Sequence, residues 1–238
     1  KNRMNRLLQG DVGSGKTVIS IIVLYANYLS GYQGALMVPT EILASQHYET
    51  TKELLDKFGV RTELLVGSLS KKEKDQIHKK LEDGDIDLII GTHTLIQADA
   101  VYKNLGLVIT DEQHRFGVMQ RTILKEKGDM PDVLYMSATP IPRTYAMTIY
   151  GDMDISVIEE LPSGRKPIKT YLKSNKEIKD VLYMMHEELK NNHQIYVIAP
   201  LIEESESLDL TTVEDLKNKM ESAFGMNYNI GVVHGKLS

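Results

Sequence analysis

The chain has 238 residues, of which 28 are basic, 33 acidic and 42% hydrophobic, giving a formal net charge of −5. That length suits one large α/β domain, or one domain and part of a second, and the acidic balance excludes a wholly basic nucleic-acid binder, so any nucleic-acid contact has to be local. The absence of cysteine excludes disulfides, thiol catalysis and cysteine-based zinc sites, and fits a reducing compartment.

Lys1-Asn2-Arg3-Met4-Asn5-Arg6 is polar and does not read as a signal peptide. Arg6-Leu7-Leu8-Gln9 reads as a short strand. It leads into Gly10-Asp11-Val12-Gly13-Ser14-Gly15-Lys16-Thr17, a complete G-x-x-x-x-G-K-T phosphate-binding loop. Three glycines among these eight residues let the backbone wrap tightly, with successive N–H groups pointing at phosphate oxygens. Lys16 can reach the β- and γ-phosphates of a bound nucleotide, and the Thr17 hydroxyl suits a Mg²⁺ ligand position. Val18 to Leu29 is an apolar stretch of helical length, too short to span a bilayer, and is expected to be a buried core helix. Its N-terminus adds partial positive charge at the phosphates.

Further along, Ala35–Val38 is a strand and Thr40–Phe58 a helix that Gly59 can stop in a left-handed cap. Thr62–Val66 is a strand, and Ser70-Lys71-Lys72-Glu73 is a capping box opening a helix with Ile77 and Leu81 on one face. That helix is rich in lysine. Glu73, Asp75, Glu82 and Asp83 nearly neutralise it, and no aromatic is interleaved for base stacking, so it reads as a solvated face. Ile86–Ile90, Leu107–Thr110 and Val133–Ser137 are short apolar strands of the kind buried in parallel sheets. Strands alternating with helices predict a doubly wound α/β sheet, in which ligands sit beyond the carboxyl ends of the strands.

The chemistry-bearing residues fall at those ends. Asp111-Glu112-Gln113-His114 follows a strand; in an ATPase Asp111 would hold Mg²⁺, usually through water, and Glu112 would polarise the attacking water. Ser137-Ala138-Thr139 ends another strand, so its hydroxyls are placed to meet Gln113 or His114 and to let the nucleotide site sense movement elsewhere. Pro39-Thr40 and Gly91-Thr92-His93 also follow strands. Their small polar groups suit contacts to a DNA backbone, and a simple helix-capping role is equally open.

Glu159–Pro167 is rich in proline, glycine and charge and reads as a linker. The alternation then restarts with a strand at Ile168–Leu172 and a second capping box at Ser174-Asn175-Lys176-Glu177. The helix that follows carries Ile178, Val181, Leu182, Met185 and Leu189 at core spacing. A strand at Ile195–Ala199, a helix over about 212–224 and a strand at Ile230–His234 follow. The expected organisation is a first lobe at 1–157, a linker at 158–167 and part of a second lobe at 168–238.

Taken together, the phosphate loop, Val38-Pro39-Thr40-Glu41-Ile42-Leu43-Ala44, Gly91-Thr92-His93-Thr94-Leu95-Ile96-Gln97, Asp111-Glu112-Gln113-His114-Arg115-Phe116-Gly117-Val118, Met136-Ser137-Ala138-Thr139-Pro140-Ile141-Pro142-Arg143-Thr144 and Pro200-Leu201-Ile202-Glu203-Glu204-Ser205-Glu206 resemble superfamily 2 helicases, and among them the RecG family. The related transcription-repair coupling translocases tend to carry Phe where Ser14 stands and Glu where Gln113 stands. The resemblance implies a RecA-like P-loop doubly wound parallel sheet, followed by a truncated second RecA-like α/β lobe. It implies an ATP- and Mg²⁺-dependent motor that moves on duplex DNA and remodels stalled forks and four-way junctions in the bacterial cytoplasm, with no membrane partner and a monomeric parent. The family's wedge domain, its adenine-contacting segment and its arginine finger are not in the chain, which is therefore expected to be a piece of a longer protein and a poor ATPase alone. A P-loop kinase or GTPase would leave Asp111-Glu112-Gln113-His114 and Ser137-Ala138-Thr139 without work to do. A non-catalytic nucleotide-binding module would bind ATP without responding to DNA.

Overall fold

The structure is a computed structural model that describes residues 3–112, 127–139, 153–160, 168–199 and 213–234. In chain order its elements are β1 (Asn5–Gly10), α1 (Lys16–Leu29), β2 (Gln33–Met37), α2 (Glu41–Leu55), β3 (Thr62–Leu65), α3 (Lys71–Asp83), β4 (Leu88–Gly91), β5 (Leu105–Thr110), β6 (Asp132–Ser137), β7 (Asp154–Ile158), α4 (Ile178–Lys190) and α5 (Val213–Phe224). The seven strands form one sheet in the order β3-β4-β2-β5-β6-β1-β7. Every strand pairing in it is parallel.

The continuous apolar runs have a simple origin. Successive side chains of a strand point to opposite faces, and both faces of a parallel sheet are covered. Leu7, Met37, Ile89 and Val108 enter one core with Leu65, Leu81 and Tyr135. Their chain neighbours Leu8, Leu36, Ile90 and Ile109 enter the other with Ile21, Leu24 and Ala44.

The helix caps follow the sequence. Thr40 caps α2 by accepting the Leu43 N–H at 3.3 Å, and a short 3₁₀ turn after α2 ends at Gly59 with φ 76°. The Ser70–Glu73 capping box opens α3. Helix α1 departs from the expectation of a buried core helix. Only Ser20, Ile21 and Leu24 are buried, while Val18, Ile22 and Leu29 are exposed. A helix lying on one sheet face needs only one apolar stripe, and here the apolar residues run all round it.

β7 is also new. Asp154-Ile155-Ser156-Val157-Ile158 alternates polar and apolar at the edge of the sheet, paired with β1. Arg6 fastens it, donating to Ser156 Oγ at 2.7 Å and to Asp154 Oδ2 at 3.1 Å.

The chain divides into two compact units, Lys1–Lys166 and Pro167–Ser238. The second unit corrects the sequence expectation. Ile168–Leu172, Ile195–Ala199 and Ile230–His234 form no strand, and Leu172, Ile198 and Val233 are among the most exposed apolar side chains. A strand exists only through its ladder, and none of the three joins a strand ladder among the described residues. The described structure of this unit is α4, α5 and a 3₁₀ turn at Asn175–Glu177. No helix among the described residues is long and apolar enough to cross a membrane.

Candidate nucleotide-binding site

At the carboxyl edge of the sheet, strand order brings together motifs far apart in sequence. Reading across it, Thr92-His93 follows β4, Pro39-Thr40 follows β2, Asp111-Glu112 follows β5, Ser137-Ala138-Thr139 closes β6, and the glycine-rich loop follows β1. Met37 is level with both Gly91 and Thr110, and Gln9 is level with Ser137. β6 therefore lies between the strand that carries the loop and the strand that carries the acidic pair.

The loop over Asp11–Gly15 is fixed by its own backbone. Ser14 N–H donates to Asp11 O at 3.1 Å, and Ile19 N–H to Gly15 O at 3.1 Å, starting α1. Gly15 holds φ 92°, a left-handed conformation that only glycine takes cheaply. At Gly10 the constraint is space: a Cβ there would lie 2.5 Å from Ser14 Oγ and 3.1 Å from Ile158 Cβ. Lys16 Nζ bridges the loop, donating to Gly10 O at 2.7 Å and Asp11 O at 2.8 Å. Val12 and Gly13 are exposed at the tip and Thr17 is half-buried at the start of α1.

The donor set fits a triphosphate. It joins a helix N-terminus, a lysine and glycine-bounded backbone amides. Ser14 Oγ adds an independent mark, being buried with no hydrogen-bond partner among the described residues. A buried hydroxyl left unpaired is costly, and a phosphate oxygen is the kind of acceptor that would satisfy it.

The Asp111 carboxylate is held on both oxygens. Oδ1 accepts the Glu112 N–H at 2.9 Å, and Oδ2 faces His47 Nε2 at 3.2 Å. Asp111 N–H continues the ladder to Met37 O at 2.9 Å. Glu112 sits at φ 51°, a left-handed conformation costing a non-glycine residue about 1–2 kcal/mol. The bond from its N–H to Asp111 offsets part of that. The oriented carboxylate of Asp111 at the end of β5 and the threonine hydroxyl of Thr17 at the start of α1 are oxygen donors of the kind Mg²⁺ takes, with waters completing the shell.

Among the described residues Ser137 and Thr139 face each other: Ser137 Oγ accepts the Thr139 N–H at 3.2 Å and lies 2.9 Å from Thr139 Oγ1. Gln113 and His114, the expected partners of these hydroxyls, lie outside the described residues. Of the residues expected to touch DNA, Pro39 is half-buried and Thr40 caps α2. Gly91 ends β4, Thr92 is buried with its hydroxyl unpartnered among the described residues, and His93 is exposed. Val38 N–H donates to Gly91 O at 2.9 Å, so the two segments leave the sheet side by side.

His47 was not visible in the sequence as a site residue. Its contact with Asp111 spans 64 positions and depends on how α2 packs, and no local spacing signals it.

A glycine-rich loop between the first strand and helix, with an acidic pair one strand removed, defines a P-loop nucleotide-binding protein of the RecA-like α/β class. The chain belongs to the DEAD/DEAH box helicase family, whose model matches residues 1–148. It is 53% identical over 235 residues to the ATP-dependent DNA helicase RecG of Bacillus subtilis, covering 99% of this chain and 34% of that protein. The RecG of Streptococcus pneumoniae is 51% identical over 236 residues, covering 99% of this chain and 35% of that protein. The chain thus spans about a third of the length of the curated relatives it matches. A solved structure of RecG bound to a three-way DNA junction superposes with a TM-score of 0.73 at 43% identity, covering 93% of this chain and 29% of that one. The helicase MrfA bound to DNA shares the fold at 20% identity, with a TM-score of 0.58 over 79% of this chain and 31% of that one.

Proposed function

We propose that the chain supplies the ATP-binding and ATP-hydrolysing part of an ATP-dependent DNA helicase that remodels branched DNA, such as stalled forks and four-way junctions, inside bacterial cells. The observation that carries this reading is the convergence of the loop, Asp111-Glu112 and Ser137-Ala138-Thr139 on adjoining strand ends. The domain reading is a first motor lobe over 1–157, a linker over 158–167 and a second lobe beginning at 168.

In this reading the amides of Gly10–Lys16 and the Lys16 ammonium hold the triphosphate, and Ser14 Oγ gives its hydrogen to a phosphate oxygen. Thr17 and Asp111 hold Mg²⁺, which when bound neutralises charge developing on the phosphates. Glu112 orients the attacking water and takes its proton. Ser137 and Thr139, at the end of the strand between loop and acidic pair, relay the state of the site to lobe movement together with Gln113 and His114. Pro39-Thr40 and Gly91-Thr92-His93, side by side beyond β2 and β4, contact the DNA backbone. The similarity to RecG, one of whose solved structures holds a three-way junction, supports branched DNA as the substrate.

The test is ATP hydrolysis by the protein at the full length of its relatives, measured without DNA, with linear duplex and with a three-way junction. Stimulation is expected to be strongest with the junction. A rate that does not respond to DNA would leave only a nucleotide-binding module.

A further inference from the structure

We propose that His47 is a positioning residue for the metal-binding carboxylate Asp111, so that the magnesium-dependent part of nucleotide binding rests on α2 as well as on the strand end. This rests on the reading of Asp111 as a Mg²⁺ ligand. His47 lies in the second turn of α2, on the row Ala44, His47, Thr51, Leu55 that the helix buries. An apolar side chain would serve the packing of that row. Instead an imidazole stands there, with its side chain 10% exposed, against a carboxylate that is 15% exposed.

An ionised carboxylate only accepts hydrogen bonds, so His47 Nε2 carries a hydrogen and donates it to Asp111 Oδ2 across 3.2 Å. The opposite oxygen is taken by the Glu112 N–H at 2.9 Å. Two donors on two oxygens set the carboxylate plane. Each oxygen retains an acceptor position for the metal or its bound water.

The two donors differ in kind. Glu112 N–H belongs to the same turn as Asp111 and moves with it. His47 belongs to another element, whose backbone is anchored by its own hydrogen bonds and by Ala44 and Leu55 in the core. Without His47 the carboxylate keeps, among the described residues, only a tether that rotates along with it. Partners that orient a metal ligand contribute about 10- to 100-fold in metal affinity or activity.

The experiment uses the 238-residue chain and titration calorimetry with ATP, once in excess Mg²⁺ and once in EDTA. Two substitutions separate the hydrogen bond from packing. His47→Leu fills the apolar row without a donor, and His47→Gln keeps an amide hydrogen near the Nε2 position. The expected result is that Mg²⁺ strengthens ATP binding by the native chain, that His47→Leu loses about tenfold of that gain with its affinity in EDTA unchanged, and that His47→Gln retains most of it. The proposal is overturned by a native-sized magnesium gain in His47→Leu. It is also overturned by equal weakening with and without Mg²⁺, which marks a packing role, or by failure of His47→Gln to restore the gain. A native chain without ATP affinity in either buffer would overturn the nucleotide reading itself, and this proposal with it.

Discussion

Lys16 has two duties that substitution can separate. Its ammonium ties Gly10 O and Asp11 O together across the loop, and in the proposed function it is the cation offered to a triphosphate. The packing of β1 and α1 comes instead from Leu7, Leu8, Ile21 and Leu24, all buried. Lys16→Ala is therefore expected to leave thermal unfolding nearly unchanged while weakening ATP binding roughly 100-fold, the scale of one lost charged contact. Calorimetric ATP affinity equal to that of the native chain would overturn the assignment of the loop. Glu112→Gln keeps the shape of the side chain and removes the proton acceptor. Turnover should fall by about 10²- to 10⁴-fold with Mg–ATP affinity preserved, in the protein at the full length of its relatives. A parental hydrolysis rate in that variant would assign the work to another residue. For Ser137→Ala combined with Thr139→Ala, the mutual hydroxyl contact at 2.9 Å is lost. DNA unwinding should then suffer more than hydrolysis, and equal loss of both would point to a catalytic or folding role.

Among the described glycines, Gly91 at the junction of β3 and β4 leaves least room for a side chain. A Cβ on Gly91 would lie 2.1 Å from Leu65 O and 3.0 Å from Leu95 Cδ2. Gly91→Ala must displace β3 or the turn after β4, and is expected to cost about 1–3 kcal/mol of stability. A urea-unfolding midpoint unchanged from the native chain would contradict that packing. The elements read correctly from sequence are those whose signal is local. β1, the loop and α1 follow from glycine spacing and an apolar run, and α3 from its Ser70–Glu73 capping box. β5 and β6 follow from short apolar runs ending in polar residues. What was not legible depends on pairing or packing. β7 is recognisable only once Arg6 and the β1 backbone meet it, because Asp154 and Ser156 dilute its apolar signal. The His47–Asp111 contact likewise joins a helix row and a strand end that no spacing links. Conversely, the helix-capping side of the Thr40 reading is local, and Thr40 Oγ1 accepts the Leu43 N–H while its own O–H stays able to donate to a backbone phosphate.

At the scale of the whole molecule, the two compact units differ in how much they bury. The first holds a seven-stranded sheet with a core on each face. Of the second, Phe224 is the one described apolar side chain that is buried, while Ile168, Leu172, Tyr196, Ile198 and Val233 are exposed. Its expected strands carry the right residues, but β propensity describes fit to a pleated surface with neighbours, and no strand ladder includes them among the described residues. Local stability follows buried apolar area and protected backbone hydrogen bonds. Native-state hydrogen exchange on the 238-residue chain is therefore expected to protect the amides of β2, β4 and β5 close to the limit set by global unfolding. Those of 168–172, 195–199 and 230–234 should exchange orders of magnitude faster, with α4 and α5 between. The same experiment on the protein at the full length of its relatives should protect these three segments if they gain ladder partners there. Slow exchange at Ile198 and Val233 in the 238-residue chain alone would mean that a sheet forms in the second unit without further sequence.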